Sequence, residues 1–266
     1  VSEVHCKSVL NRSGIPVVDY AVNPYVGCAH ACVYCYAIFM RRFTGHTGPW
    51  GSFVDVKLNA PDVLARQMTR ARPGRITVGT VTDPYQPAER SYGITRGCLE
   101  VLRGHDSPVS ILTKSDLVLR DRDILRTMRD VSVGLTVTTL DEQARARFEP
   151  HAPPAEARLT ALRELSASGI ATWAFCGPLL PFISDSANQT DRLFAAVAEA
   201  GAASVVVDSM KLRGPIWARV RRVVERHYPD LTQHYRRIAA HRRPYHDALL
   251  ARARESASRH GLEVRV

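Results

Sequence analysis

Lysine is scarce in this 266-residue chain: Lys7, Lys57, Lys114 and Lys211 are the only lysines among 36 basic side chains, and the rest are arginine. Arginine keeps its charge and grips phosphate and carboxylate bidentately. The formal net charge of +10 therefore suits a nucleic-acid or phosphorylated partner. It suits equally well a set of solvated helix faces, because the basic residues are spread out rather than gathered in one run. No stretch approaches 18 continuous apolar residues, which excludes a membrane-spanning helix. The first sixteen residues, VSEVHCKSVLNRSGIP, have no apolar core of a secretory signal. Cysteine is also sparse. Six in a chain of this length are too few for a disulfide scaffold, yet three of them fall within eight residues. That clustering points to a metal site in a reducing compartment and predicts a cytoplasmic protein. There is no internal repeat and no low-complexity linker, and the 45% hydrophobic content is enough for a sizeable core.

Short apolar runs rich in β-branched residues alternate with helical patterns. Strands are expected over 17–22, 53–57, 76–81, 109–113, 131–137, 170–175 and 204–207. Helices are expected over 61–72, 95–103, 120–129, 154–168 and 189–200, then over 216–227, 231–241 and 245–260, with a final strand over 262–266. Such alternation predicts an α/β fold, a parallel sheet with right-handed crossovers. About six units would curl it into a partial (β/α)6 TIM-type barrel. The expected organisation is an N-terminal segment over 1–15, a barrel over 16–212 and a basic helical C-terminal extension over 213–266. Chemistry in such a barrel lies at the C-terminal ends of the strands.

The segment NPYVGCAHACVYCYA, residues 23–37, carries Cys28, Cys32 and Cys35. Iron–sulfur clusters are usually held by four thiolates. One compact loop with three leaves an iron of a four-iron cube open to a small chelating ligand. A zinc site would need a fourth ligand such as His30 and normally shows a second ligand pair, which is absent here.

The C-x3-C-x2-C spacing with an aromatic before the last cysteine resembles the signature of radical S-adenosylmethionine (SAM) enzymes. The wider string is similar to the spore-photoproduct-lyase-like group. So are TVTDPYQPAER (80–90), ITRGCLEVL (94–102), ILTKSDLVLRD (111–121) and GIATWAFCGPLLPFISD (169–185), which extend the similarity over residues 15–210. The resemblance implies a [4Fe-4S] cluster on Cys28, Cys32 and Cys35, with S-adenosyl-L-methionine chelated to the open iron. It also implies an electron donor of flavodoxin or ferredoxin type. Reductive cleavage of the cofactor would give a 5′-deoxyadenosyl radical that takes a hydrogen atom from substrate. By the same resemblance Tyr34 would lie near the adenine, Thr82 and Asp83 would bond the methionine part, and Lys114 would pair with its carboxylate. Tyr36 matches a tyrosine linked to hydrogen-atom relay.

Each of these has a plainer alternative. Tyr34 and Tyr36 could be packing, Asp83-Pro84 a turn, and Lys114 a snorkelling surface lysine. Thr136 and Thr138, ending the strand over 131–137, could supply hydroxyls to the same site. One departure matters. Spore photoproduct lyase has a cysteine hydrogen donor just before its strand-end Ser-Asp, and the matching position here is Thr80 or Val81. Cys176, read as following the strand over 170–175, is the candidate substitute donor. Cys98 reads as core and Cys6 carries no signal. In the extension, Arg213, Arg219, Arg221, Arg222, Arg226, Arg236, Arg237, Arg242 and Arg243 interleave with Trp217, Tyr228, Tyr235 and Tyr245. They form either a stacking and phosphate-binding surface or an amphipathic cap whose aromatics face the barrel, the latter slightly preferred. Expected substrates are thus a nucleic acid or nucleotide, or else a small metabolite. A non-catalytic, metal-stabilised nucleic-acid-binding protein is the alternative of another class.

Overall fold

The computed structural model describes residues 1–265. Its main sheet runs β11-β10-β9-β8-β7-β6-β3-β2. In chain order these are β2 (Leu10–Arg12), β3 (Tyr20–Val22), β6 (Ile76–Val78), β7 (Val109–Thr113), β8 (Val131–Thr136), β9 (Ala171–Leu179), β10 (Ser204–Ser209) and β11 (Glu263–Arg265). From β3 to β11 all pairings are parallel, and only β2 runs antiparallel, on β3. The sheet does not close, since β2 and β11 each have a single neighbour. This is the open, partial barrel expected from the β-α alternation.

The helices between the strands are α1 (Ala60–Met68), α2 (Glu89–Tyr92), α3 (Ile94–Arg103), α4 (Arg122–Leu125), α5 (Glu142–Phe148), α6 (Ala155–Ala167) and α7 (Ala187–Glu199), of which α5 packs with the cysteine loop through Ala144 and Phe148. The Asp141 and Ser186 side chains cap α5 and α7 by accepting backbone N–H bonds of the first turn. α5 has no counterpart in the expected elements. The helix expected over 120–129 is instead a 3₁₀ turn followed by the short α4.

One correction concerns the N-terminal third. The 53–57 run is not a barrel strand: β5 (Val54–Lys57) forms a separate three-stranded sheet with β1 (Ser2–Val4) and β4 (Tyr25–Gly27). The segment 1–15 supplies β1 and β2, so it is woven into both sheets. Asn59, at the N-cap position of α1, makes no side-chain cap bond; it bonds the backbone of Cys6 in both directions, at 2.8 and 3.0 Å, and fastens that segment down.

The inner face of the sheet is lined by alternate residues. Trp173 and Phe175 on β9 are half-buried there, whereas Thr172, Ala174 and Cys176 are buried against the helices. Gly134 on β8 sits beside Trp173 in register, and a Cβ there would come within 2.4 Å of the indole. Only glycine gives that ring its room. After β10 the chain forms α8 (Gly214–His227), α9 (Thr232–Ala240) and α10 (Arg242–Arg259). β11 then returns to the main sheet, and Val266 of the expected final strand lies outside the described residues. Residues of α8 and α9, including Ile216, Val220 and Tyr235, share one apolar cluster with Cys32, Tyr34 and Phe148. The extension is therefore packed onto the cysteine loop.

Candidate active site

The cysteine loop follows β4 rather than β3, and side chains from the strand ends hold it. Thr82, after β6, donates its hydroxyl to the Gly27 carbonyl at 2.5 Å. Gln86, fully buried, accepts from Ala29 N at 2.9 Å and donates to the Thr82 hydroxyl at 3.0 Å. Asn23, just past β3, grips the neighbouring strand end, donating to the Thr80 hydroxyl at 2.9 Å and accepting from Val81 N at 3.0 Å. On the other side Val33 N donates to the Phe148 carbonyl at 2.8 Å. Ala31 has a φ of +55°, and Gly51 passes so close that a Cβ there would lie 2.4 Å from that of Ala31. The loop is thus tightly wrapped. Its sulfurs are largely withdrawn from water, and burial pushes all three thiols up from their ordinary pKa, Cys32 to about 12. Cys32 and Cys35 raise Cys28 further and Cys35 raises Cys32, since one negative sulfur opposes the next. Lys114, Arg158 and Arg219 oppose that trend from nearby. Among the described residues no three His, Cys, Asp or Glu side chains converge on a single-ion site.

Asp83 is buried and its carboxylate is committed to the protein. It accepts from the Thr113 hydroxyl at 2.6 Å, Lys114 N at 2.8 Å and Tyr85 N at 2.9 Å. His30 Nδ1 lies 3.3 Å from it but without hydrogen-bond alignment, so that contact is electrostatic. Burial alone would raise the Asp83 pKa, but His30, Thr113 and the Lys114 amide outweigh it and hold it at about 2. Through these bonds Asp83 fixes the turn that presents Lys114. The Lys114 ammonium stands 5.7 Å from the Tyr34 ring centre and has no carboxylate within ion-pair distance among the described residues. Burial disfavours its charge, yet Cys32, Glu149 and Asp83 together raise its pKa.

Tyr34 turns its hydroxyl into the protein, to Glu149, rather than into the barrel mouth. Glu149 is fully buried, accepts from the Thr138 hydroxyl at 2.9 Å and is paired with Arg158, also buried. Burial pushes the Glu149 pKa up, but Arg158 and then Lys114 pull it down to about 2. Arg158 also donates to the Thr136 carbonyl at 2.9 Å. The Thr136 side chain itself ends β8 on the inner face, buried. Tyr36 begins a 3₁₀ helix, Tyr36–Phe43, that starts directly after Cys35. Its hydroxyl donates to the Thr80 carbonyl, and Lys211, following β10, places its ammonium 5.4 Å from the ring centre.

Cys176 is placed differently from the expectation. β9 runs on to Leu179, paired with β10, so Cys176 lies within the strand. It belongs to the main apolar core on the helix side of the sheet, fully buried, and burial pushes its thiol up to about 12. The extension's aromatics face inward: Tyr235 is fully buried and Tyr245 donates to Asp185 at 2.7 Å. Sequence reasoning missed the roles of Asn23, Gln86, Glu149 and Arg158, and named Arg219 only as one basic residue of the extension. Asn23 and Gln86 carried a signal, since they lie within the 23–37 and 80–90 strings.

Residues 22–194 match the Radical SAM superfamily. The chain belongs to that superfamily. This radical SAM protein uses a [4Fe-4S] cluster and S-adenosylmethionine, and its chemistry needs an electron donor. It is an enzyme, and the non-catalytic alternative falls. It is 37% identical over 185 residues to an uncharacterised protein of Methanocaldococcus jannaschii, covering 70% of each chain. Uncharacterised proteins of Mycobacterium tuberculosis and Mycobacterium bovis are 34% identical to it over 248 residues, which is 89% of this chain and 72% of theirs. Its fold is similar to spore photoproduct lyase complexed with dinucleoside spore photoproduct, with a TM-score of 0.75 at 17% identity, over 98% of this chain and 80% of that one. Streptococcus suis SuiB bound to S-adenosylmethionine aligns at a TM-score of 0.54 and 14% identity, over 80% of this chain and 47% of that one. No helix among the described residues is long and apolar enough to cross a membrane.

Proposed function

We propose that Cys28, Cys32 and Cys35 hold the cluster and that the enzyme takes a hydrogen atom from a nucleic-acid or nucleotide-type substrate. The donor set fits the group: a cube takes each thiolate on a different iron, so its ligands need not converge on one point. Two buried N–H groups beside the loop, Trp50 Nε1 and Arg219 Nη1, lack acceptors and would face its sulfurs. Bound there, cluster and cofactor supply reductive C–S cleavage and a 5′-deoxyadenosyl radical. Lys114, unpaired with any carboxylate among the described residues, would hold the cofactor carboxylate, and the Thr136 hydroxyl would donate alongside it. Thr82 and Asp83 position the loop and Lys114. Tyr34 and the extension's apolar helices keep water from the cysteines. A low-potential donor of flavodoxin or ferredoxin type would supply the electron.

One observation carries the substrate class. Tyr36, Phe39 and Phe43 form an exposed ladder on the 3₁₀ helix directly after Cys35. Tyr36 and Phe39 are stacked at 6.3 Å and Phe39 meets Phe43 edge-on at 6.4 Å. Arg42 covers the faces of both phenylalanines at 5.8 and 5.4 Å. Exposed aromatics interleaved with cations are how proteins stack unpaired bases and hold their phosphates. Titration of labelled single-stranded DNA by fluorescence anisotropy at increasing salt tests this. Binding should weaken with a steep negative slope and drop at least tenfold in Phe39→Ala/Phe43→Ala. A flat response would sink the reading. The second reading, a small metabolite, is favoured by the loop at Thr80 and Val81. It offers no thiol, and the Thr80 hydroxyl and carbonyl are already engaged by Asn23 and Tyr36.

A further inference from the structure

Two N–H donors beside the cysteine loop are buried and have no acceptor among the described residues: Nη1 of Arg219 and Nε1 of Trp50. Arg219 comes from α8, far along the chain. It reaches across to donate from Nη2 to the Ala31 carbonyl at 3.3 Å, between Cys28 and Cys32. No carboxylate among the described residues pairs with it, and the charges it senses most are those of Cys35 and Cys32. Trp50 is almost wholly buried and packs in one small cluster with Cys28, Ala37 and Phe53, against Cys35. Its indole lies beside the Cys35 thiol but makes no aligned hydrogen bond. An unpaired buried amide-like N–H costs about 1–3 kcal/mol, and a guanidinium N–H more. The ten orphaned polar atoms of the described chain are otherwise scattered, mostly hydroxyls and guanidinium Nε atoms. Within the loop itself His30 Nδ1 also lacks an aligned partner but stands 3.3 Å from the Asp83 carboxylate. Arg219 Nη1 and Trp50 Nε1 are the two that reach the loop from outside it, with no hydrogen-bond acceptor among the described residues. What would satisfy both is negative sulfur.

We propose that Arg219 and Trp50 donate to the sulfurs of the cluster and its thiolates and so set its reduction potential. This rests on the assignment of the cluster to Cys28, Cys32 and Cys35. Reduction adds one negative charge to a group already anionic with three thiolates. Hydrogen bonds to the sulfurs and a nearby cation stabilise the reduced form more than the oxidised one and raise the potential. The basic extension is then part of the redox site as well as a cover for it.

The test is an EPR-monitored redox titration of anaerobically reconstituted wild type, Arg219→Met, Arg219→Lys and Trp50→Phe, with iron and sulfide content measured on each. At the potential where the wild-type cluster is half reduced, the reduced-to-oxidised ratio should fall about tenfold in Arg219→Met, equivalent to about 59 mV for one electron. Arg219→Lys, which keeps the charge, should fall less, and Trp50→Phe should fall about threefold. Fully loaded variants that titrate within twofold of wild type overturn the proposal, because a purely structural tie between α8 and the loop would not move the potential. If Arg219→Met fails to load, Trp50→Phe decides on the same criterion. Wild-type protein that takes up neither iron nor sulfide overturns the cluster assignment itself, a distinct result.

Discussion

Replacing Arg158 by methionine should destabilise the protein far more than its position on an outer helix suggests. Arg158 is 1% exposed and its partner Glu149 0%. The guanidinium donates to the Pro153 carbonyl from Nε and Nη2, at 2.9 and 2.6 Å, to the Thr136 carbonyl at 2.9 Å and to Glu149. Methionine fills most of the volume but leaves a buried carboxylate with only Lys114 for a counter-charge and two carbonyls without donors. Breaking one partner of a buried pair costs about 3–5 kcal/mol, which is a large part of a total stability of about 5–15 kcal/mol. Urea unfolding of the apo protein at pH 7 should show that loss. The sign of the pH dependence follows from Glu149. Its pKa in the folded wild type is about 2, below the ordinary 4.5, so its contribution is present above pH 4.5 and is lost as pH falls toward 2. Without Arg158 the burial effect dominates and the folded pKa rises. The gap between variant and wild type should therefore narrow as pH drops from 7 to 5. Adding Glu149→Gln to Arg158→Met should recover at least ~2 kcal/mol at pH 7. A loss under ~1 kcal/mol, or a gap that does not narrow, would refute the reasoning. Glu149 also anchors Tyr34 between two cysteines, so iron uptake by Arg158→Met should fall in parallel.

Three further outcomes are expected. Lys114→Met should weaken S-adenosylmethionine binding about tenfold by equilibrium dialysis at unchanged iron content, ~1.4 kcal/mol; unchanged affinity would remove Lys114 from the cofactor site. Asp83→Asn should cost about 1–3 kcal/mol in urea unfolding. The wild-type contribution of Asp83 should persist down to pH 4 and disappear only as pH falls from the ordinary 3.8 through about 2, and a loss already complete at pH 5 would contradict the geometry. Cys176→Ala should lower stability by about 1 kcal/mol and leave the product distribution of cofactor cleavage intact; altered products at unchanged stability would restore it as a hydrogen donor.

Local features were legible because they depend on neighbours in the chain. The cysteine spacing is one loop's geometry. β7 shows its alternation of buried and half-buried residues over five positions, and the apolar face of α3 is plain from its periodicity. Where the reading erred, long-range pairing decided. The 54–57 run has strand chemistry, but nothing in it says that β1 and β4, rather than the barrel, will be its partners. Gly177 and Pro178 look like a stop after Phe175, yet β9 continues past them because β10 offers a shifted register out to Ser209 and Leu179. That extension takes Cys176 from the presumed mouth into the core.

By itself, then, the sequence determined the open parallel barrel and the three-thiol loop, since hydrophobic period and residue spacing act over a few positions. Only the tertiary structure decided how that loop is furnished. Gln86 and Thr82 clamp it from 55 or more residues away, Glu149 and Arg158 anchor Tyr34, and Arg219 arrives from a helix 188 residues beyond Ala31. A buried polar side chain is stable only with its partner in place, and that partner is chosen by the fold rather than by the residues beside it in the chain.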